Sequence, residues 1–159
     1  MALQLNVNTY VTLAEANTYF ATRMDSEAWI SASDPSKESA LVSAAALLDE
    51  QSWAGTAIDD GQLMAFPRVM EIFDPMKGAR LYYNGSTIPE RLKKAQYEEA
   101  IHLLNNPGIL TSSDSVQDLS VGPIKMNNMQ KVSVVPESVM RIIRPLLVNG
   151  GANLVWRAN

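Results

Sequence analysis

The stretch SDPSKESALVSAAALLDEQ, residues 33–51, constrains the fold most strongly, because it carries the signals of one amphipathic helix. Asp34 is the predicted N-cap, and Pro35 suits the first turn, where its missing N–H is not needed. Four apolar side chains then recur at the spacing of a single helix face: Leu41, Ala44, Ala45 and Leu48. Such a stripe must be buried against other elements, so the sequence predicts a core built around this helix.

Two shorter helices are predicted before it. Thr12 and Glu15 form a capping box, in which each side chain satisfies a free backbone donor of the first turn. Asp25 or Ser26 then caps a short second helix, and Trp29 is its apolar anchor. The apolar face of the first helix is predicted from helical spacing: Leu13, Ala16, Phe20 and Met24.

Two more helices are predicted in the second half of the chain. IPERLKKAQYEEAIHLL has Pro89 in its first turn and Glu90 complementing the helix dipole. Its apolar face consists of Leu92, Tyr97, Ala100, Ile101, Leu103 and Leu104. PESVMRIIRPLLVNGG is the last helix and stops at Gly150 and Gly151. Its apolar face consists of Val139, Ile142, Ile143 and Leu146.

Two segments lack the helical period. Residues 53–87 contain many glycines, prolines and aromatics, which predicts a long irregular stretch held by aromatic packing. Residues 116–135 alternate between apolar and polar, which predicts a β-hairpin turning near Asn127 and Asn128, since asparagine tolerates left-handed backbone angles. The residues predicted to protrude there are Ile124, Met126, Asn127, Asn128 and Met129.

Together these elements predict a mainly α fold, a small bundle of about four to five helices with a protruding β-hairpin or long loop and an extended C-terminal tail. The predicted organisation is one helical domain over residues 1–149, with the hairpin at about 116–135, and a docking tail over residues 150–159. Apolar side chains on a terminus that cannot pack locally often dock into a partner. The alternative is that the tail folds back on its own helices. Its candidate docking residues are Leu154, Val155, Trp156 and Arg157.

Composition excludes several classes of function. The 159 residues are 47% apolar and 19% charged, which is typical of a globular chain. The chain has no cysteine, so disulfides, a thiolate nucleophile and cysteine-bound zinc are excluded. Its net charge of −4 is unlike that of proteins that attract nucleic acid through a basic surface. The first residues lack the pattern of a signal peptide, so we expect a protein kept in a reducing cytoplasm or in a particle built there.

No catalytic, cofactor-binding or metal-binding residues are predicted, and we do not expect an enzyme. The single histidine, His102, follows Glu98 by four residues, which predicts a solvent-facing helix pair. Asp59 and Asp60 are more typical of a solvated turn than of a cation site. Glu98 and Glu99 lie on different helix faces, so they cannot form a shared carboxylate pair.

The densest basic cluster is Arg91, Lys93 and Lys94, within ERLKK. Sites for single-stranded nucleic acid combine such charges with exposed aromatic rings on which bases stack. The aromatic residue nearby, Tyr97, lies on the predicted apolar face of the helix. The cluster is therefore a possible DNA contact, with a solvated helix face as the more typical alternative.

The stretch QLMAFPR, residues 62–68, suggests a clamp in the middle of the chain. Trp53 and Phe66 carry enough apolar area to anchor a loop, and Pro67 fixes the backbone at low entropic cost. Arg68 is predicted to hydrogen-bond carbonyls at helix ends or a carboxylate. These partners lie either in the same subunit or in a neighbouring copy, and the sequence leaves both open.

An ordered set of blocks resembles a known family. The blocks are YVTLAEANTYFATR, AWISASDPSKESALVSAAALLD, Trp53 and Gly55 followed by FPR, and IPERLKKAQYEEAIHLL. Over residues 10–105 this order resembles tailed-phage head-to-tail adaptor proteins, also called connector or head-completion proteins. Many of these carry the label DnaT-like single-stranded-DNA-binding protein. The family pattern has tryptophan before the proline and arginine, where this chain has Phe66.

The resemblance implies a structural virion protein that forms a homo-oligomeric ring of about a dozen copies, expected as a dodecamer. It implies docking of the C-terminal tail on the portal protein, attachment of the tail or next neck protein at the other end, and passage of double-stranded DNA through the lumen without sequence-specific binding. The expected location is the neck of a bacteriophage virion, with the host cytoplasm during assembly. No cofactor or membrane is implied. The alternative is a DnaT-like replication accessory protein that binds single-stranded DNA.

Overall fold

A computed structural model describes the protein at residues 3–111, 118–121, 124–127 and 133–148. Over these ranges it is a small mixed fold of five α-helices, a three-stranded antiparallel sheet and a two-stranded hairpin. No helix within them is long and apolar enough to cross a membrane. The elements are α1 (Leu13–Ala21), α2 (Glu27–Ser31), α3 (Asp34–Asp49), β1 (Thr56–Ala57), β2 (Arg68–Asp74), β3 (Ala79–Asn84), α4 (Glu90–Asn105), β4 (Asp118–Val121), β5 (Ile124–Asn127) and α5 (Glu137–Ile143), with a 3-10 turn at Arg144–Leu146.

The capping box at the start of α1 is confirmed. The N–H of Glu15 donates to Thr12 Oγ1 at 3.1 Å, and the N–H of Thr12 donates to Glu15 Oε2 at 2.7 Å. Ala16 and Phe20 are buried as predicted. The prediction for Met24 is wrong, because α1 ends before it and the helical spacing no longer applies, leaving Met24 85% exposed.

The apolar stripe of α3 is also confirmed, although its cap is not the predicted one. Ser33 is the N-cap, and its Oγ accepts from the N–H of Ser36 at 3.4 Å. Asp34 is instead the first helical residue, where its charge still complements the positive end of the helix dipole. Trp29 of α2 is buried and stacks on Phe20, with ring centroids 4.4 Å apart. The buried stripe of α3 is Leu41, Ala44, Ala45 and Leu48.

Helix α4 packs against α2, α3 and α5 and is the centre of the helical part. Its buried Gln96 donates to the carbonyl oxygen of Leu41 and to Thr9 Oγ1, both at 2.8 Å, and so joins the N-terminal segment to α3. In α5, Val139 and Ile143 are buried as predicted. The predicted face of α4 is buried at Leu92, Tyr97, Ala100 and Ile101 and half-buried at Leu103 and Leu104.

The prediction of an irregular stretch at residues 53–87 is wrong, because this segment forms the three-stranded sheet. β2 pairs with β3 from Val69 opposite Asn84 to Asp74 opposite Ala79, and β1 pairs with the other edge of β2. Two features hide the strands in the sequence: glycines and prolines crowd the turns, and a charged residue occupies one inward position. The inward side chains of β2 are Met70, Ile72 and Asp74.

A β-hairpin lies within the predicted range of 116–135, but both of its strands precede Asn128, and the predicted turn at Asn127 is wrong. β4 pairs with β5 so that Val121 lies opposite Ile124 and Asp118 lies opposite Asn127. Asn127 lies in a strand and pairs with Asp118. The sequence between Val121 and Ile124 is Gly-Pro, a pair typical of turns, which competes with the asparagines as a turn signal. Asn128 and Met129 lie outside the described residues.

Candidate functional site

Two of the three side chains in the predicted basic cluster are paired with carboxylates of the same chain. Arg91 donates to Asp74 Oδ1 at 2.7 Å, and this guanidinium lowers the pKa of the Asp74 carboxyl. Lys93 Nζ lies 3.0 Å from Glu15 Oε1. Lys94 is exposed, and its charge helps to lower the pKa of Glu98. Two of the three cations are thus held by carboxylates of the same chain, which reduces their availability for phosphates.

The aromatic residues predicted for the clamp are buried. Trp53 and Phe66 are 6% and 1% exposed, and their rings meet edge to face with centroids 4.9 Å apart. Trp53 Nε1 donates to the carbonyl oxygen of Leu48 at the end of α3 at 3.0 Å. The Phe66–Pro67 peptide bond is cis, and Pro67 leads directly into β2. Trp53 and Phe66 therefore join the loop before β2 to the end of α3.

Arg68 binds backbone carbonyls of its own chain. Its Nε donates to Ala54 at 3.0 Å, its Nη2 to Gly55 at 2.8 Å and its Nη1 to Ala65 at 3.3 Å. Gly55 has a φ of +73°, and a Cβ there would lie 2.1 Å from the carbonyl oxygen of Val69. The guanidinium fork and this glycine together bring two loop segments against the start of β2.

A buried polar network supports the same loop, and sequence reasoning missed it. The hydroxyl of Tyr10 donates to the Asp49 carboxylate, while the N–H of Phe66 donates to Tyr10 Oη at 3.3 Å. The N–H of Ala65 donates to Asp49 Oδ1 at 3.2 Å. Burial raises the pKa of both Tyr10 and Asp49. The partners in each of these hydrogen bonds are 16 or more positions apart in sequence, so no local motif reveals the network.

The outer face of β2 and β3 carries the exposed aromatic side chains of the sheet. We call it the sheet face and define it by Glu71, Phe73, Arg80 and Tyr82. Phe73 is 49% exposed and Tyr82 is 70% exposed. In the strand register Phe73 lies opposite Arg80, and Glu71 lies opposite Tyr82. The short alternation of Met70, Glu71 and Ile72, before Asp74 breaks it, is the local signal that could have indicated this face.

The predicted pair of His102 and Glu98 does not form. Glu98 instead accepts from Arg23 Nη2 at 2.7 Å and from the hydroxyl of Tyr19 at 2.5 Å. Burial favours the neutral acid, but these hydrogen bonds outweigh it and lower the pKa of Glu98. His102 Nε2 donates to the carbonyl oxygen of Ser133 at 2.9 Å. The helical spacing of Glu98 and His102 is as predicted, but each side chain binds a partner that is distant in sequence.

Glu99 is fully buried, on a different face of α4 from Glu98 as predicted. Within the described part of the chain, neither of its carboxyl oxygens has a hydrogen-bond partner, and burial raises its pKa to about 7. Asp59 forms a turn by accepting from the N–H of Gly61 at 2.8 Å. The described ranges contain no group of three metal-ligating side chains. The predicted docking residues of the tail lie outside these ranges.

Comparison with known proteins identifies the family. The family model described as "Putative DnaT-like ssDNA binding protein" matches residues 2–158, which is nearly the whole chain. No curated protein and no solved structure matches the sequence. The chain therefore belongs to this DnaT-like family.

Proposed function

We propose that the protein binds single-stranded DNA and acts by binding and not by catalysis. The observation that carries this proposal is the family match over residues 2–158. The geometry is compatible with it, because the sheet face offers aromatic and cationic side chains to solvent. Stacking on rings and attraction to phosphates are the two interactions that sequence-independent binding of single strands requires.

The charge of the protein limits the affinity. A net charge of −4 repels a polyanion, and Arg91 and Lys93 are already paired within the chain. If about two cations contact phosphates, the slope of log K against log salt is roughly −1.4 for a single strand. We expect a Kd of about 10⁻⁶ M that depends only weakly on salt concentration.

Fluorescence anisotropy of a labelled oligothymidine, titrated with the protein at several salt concentrations, tests the proposal. The expected result is saturable binding that weakens with salt and exceeds the binding of a duplex of the same length. A flat titration at about 100 μM protein and low salt would exclude a useful affinity for single strands.

A second candidate is the head-to-tail adaptor, a homo-oligomeric ring between the portal and the tail of a phage virion. The order of the sequence blocks supports it. In this proposal the ring conducts double-stranded DNA without holding it, which suits the acidic charge.

The adaptor is tested by deleting residues 150–159 and mixing the shortened protein with portal protein. The expected result is loss of portal binding with an unchanged helical circular dichroism spectrum, and rings beneath the portal in negative-stain images of the full chain. Portal binding that survives the deletion would remove the tail from this proposal. A full chain that never associates with portal would remove the adaptor function itself.

A further inference from the structure

The sheet face is a two-stranded surface on which two rings and one guanidinium project to the same side. Phe73 lies opposite Arg80, and Tyr82 is the diagonal neighbour of Phe73 across the strand pair. Diagonal neighbours on one face are about 7–8 Å apart, within reach of two successive bases of one strand. The pairing register therefore supplies two stacking positions side by side.

These two rings differ from the other described aromatics in their exposure. The rings of Phe20, Trp29, Trp53 and Phe66 are each at most 6% exposed, and they pack on one another. A base can stack only on a ring whose plane is open, so such residues cannot serve a ligand. Phe73 and Tyr82 are the large aromatic residues exposed within the described ranges.

Arg80 is the cation of the sheet face, and its ion pair with Glu71 is exposed enough to yield to a phosphate. Arg80 Nη1 lies 3.1 Å from Glu71 Oε1, and both side chains are more than half exposed. Such a surface pair contributes at most about 1 kcal/mol, so a phosphate can replace Glu71 at little cost. Lys77, in the turn between β2 and β3, is exposed and adds a second cation.

The remaining acid of the strand is turned away from this surface. Asp74 is an inward position of β2, 6% exposed, and binds Arg91 of α4. It also accepts from the N–H of Met76, which fixes the turn that carries Lys77. Asp74 thereby connects the end of the hairpin to the helices without placing its charge beside a bound strand.

From this geometry we infer that the sheet face is the binding site for single-stranded DNA, with two successive bases stacked on Phe73 and Tyr82 and a phosphate on Arg80. The inference rests on the proposed function and assigns it a site. With the two rings on base faces and Arg80 on a phosphate, this mode of binding is expected to be neutral to sequence. It prefers single strands, because the bases of a duplex are stacked on one another and are not open to the rings.

The test compares the wild-type protein with Phe73→Leu and Tyr82→Leu by anisotropy with an oligothymidine. Leucine keeps apolar bulk but removes the aromatic plane, so each substitution should weaken binding by about 5-fold or more. Arg80→Gln should reduce the salt slope by about 0.7. Ile30→Ala, which removes an exposed apolar side chain of α2, is the control and should bind as the wild type does. Circular dichroism checks that each variant is folded.

The outcomes separate the site from the function. Wild-type binding that both leucine variants retain would overturn the site and leave the proposed function standing. Absence of binding by the wild type would overturn the function itself. A wild type that self-associates and does not bind DNA, with monomeric Phe73→Ala and Tyr82→Ala variants, would show that a second copy of the chain occupies the face.

Discussion

Two regions between residues 53 and 84 use the same kinds of side chain for opposite purposes. In the clamp region, Phe66 and Trp53 are buried and Arg68 is surrounded by backbone carbonyls. On the sheet face, Phe73 and Tyr82 are exposed and Arg80 is paired with the exposed carboxylate of Glu71. An arginine next to an aromatic residue is thus structural where its donors are satisfied inside the chain, and available for a ligand where they are not.

The largest difference between the two regions should appear on removing a ring. Phe66→Ala leaves a cavity beside Trp53 and Tyr10 and should lower the free energy of unfolding by about 3–5 kcal/mol. Phe73→Ala removes a half-exposed ring and should cost less than about 1 kcal/mol. Urea denaturation of both variants measures these values. Equal losses would show that the sheet face is part of the folding core.

A further difference concerns two carboxyl groups, Asp49 and Glu99, and how the stability of the protein depends on pH. Asp49 in the clamp network accepts hydrogen bonds from Tyr10 and Ala65, whereas Glu99 accepts none from the described residues. Because burial raises the pKa of Glu99 from 4.5 to about 7, the folded state holds a proton that the unfolded state releases. The stability from this group is therefore present below about pH 4.5 and lost as pH rises through 7, by up to about 3 kcal/mol.

Glu99→Gln should remove this pH dependence, because the amide is neutral throughout. The measurement is the free energy of unfolding of wild type and variant at pH 5 and pH 8, with Glu50→Gln at the exposed end of α3 as control. Relative to the wild type, the free energy of unfolding of Glu99→Gln should be higher at pH 8 than at pH 5. An unchanged difference between the two pH values would contradict the burial of an unpaired carboxyl.

The two arginines provide a smaller contrast. Arg68→Lys keeps the charge but cannot reach three carbonyls at once, so it should cost about 1–2 kcal/mol of stability. Arg80→Lys should cost less than about 0.5 kcal/mol, because its ion pair is exposed. Thermal unfolding of the two variants measures this difference. If Arg68→Lys causes no loss of stability, the loop is held by the buried rings alone.

The smallest expected effect concerns binding only. Glu71→Gln frees Arg80 from its intrachain partner and should tighten oligothymidine binding by about 2-fold, with little change in stability. Glu50→Gln removes the same charge outside the sheet, at the end of α3, and is the matched control. Equal gains for the two variants would indicate a general charge effect, with no competition between Glu71 and phosphate.

Helices could be predicted from the sequence, whereas the sheet and the site could not. The signals of α1 and α3 are local, because caps and stripes depend on residues within a few turns. The strands were hidden because the inward Asp74 breaks the apolar alternation of β2, and its partner Arg91 is 17 residues away. Arg91 and Lys93 looked available for DNA because Asp74 and Glu15, which bind them, are distant in sequence. The sheet face depends on strand register, which sets Phe73, Arg80 and Tyr82 together.

The most direct test of the account is an NMR titration of the isotope-labelled protein with an unlabelled oligothymidine. We predict that the backbone amide shifts concentrate in β2, β3 and the turn between them, with Phe73 and Tyr82 among the largest changes. Shifts confined to the region of Arg91, Lys93 and Lys94 would return the site to the basic cluster of α4 and contradict the assignment to the sheet face.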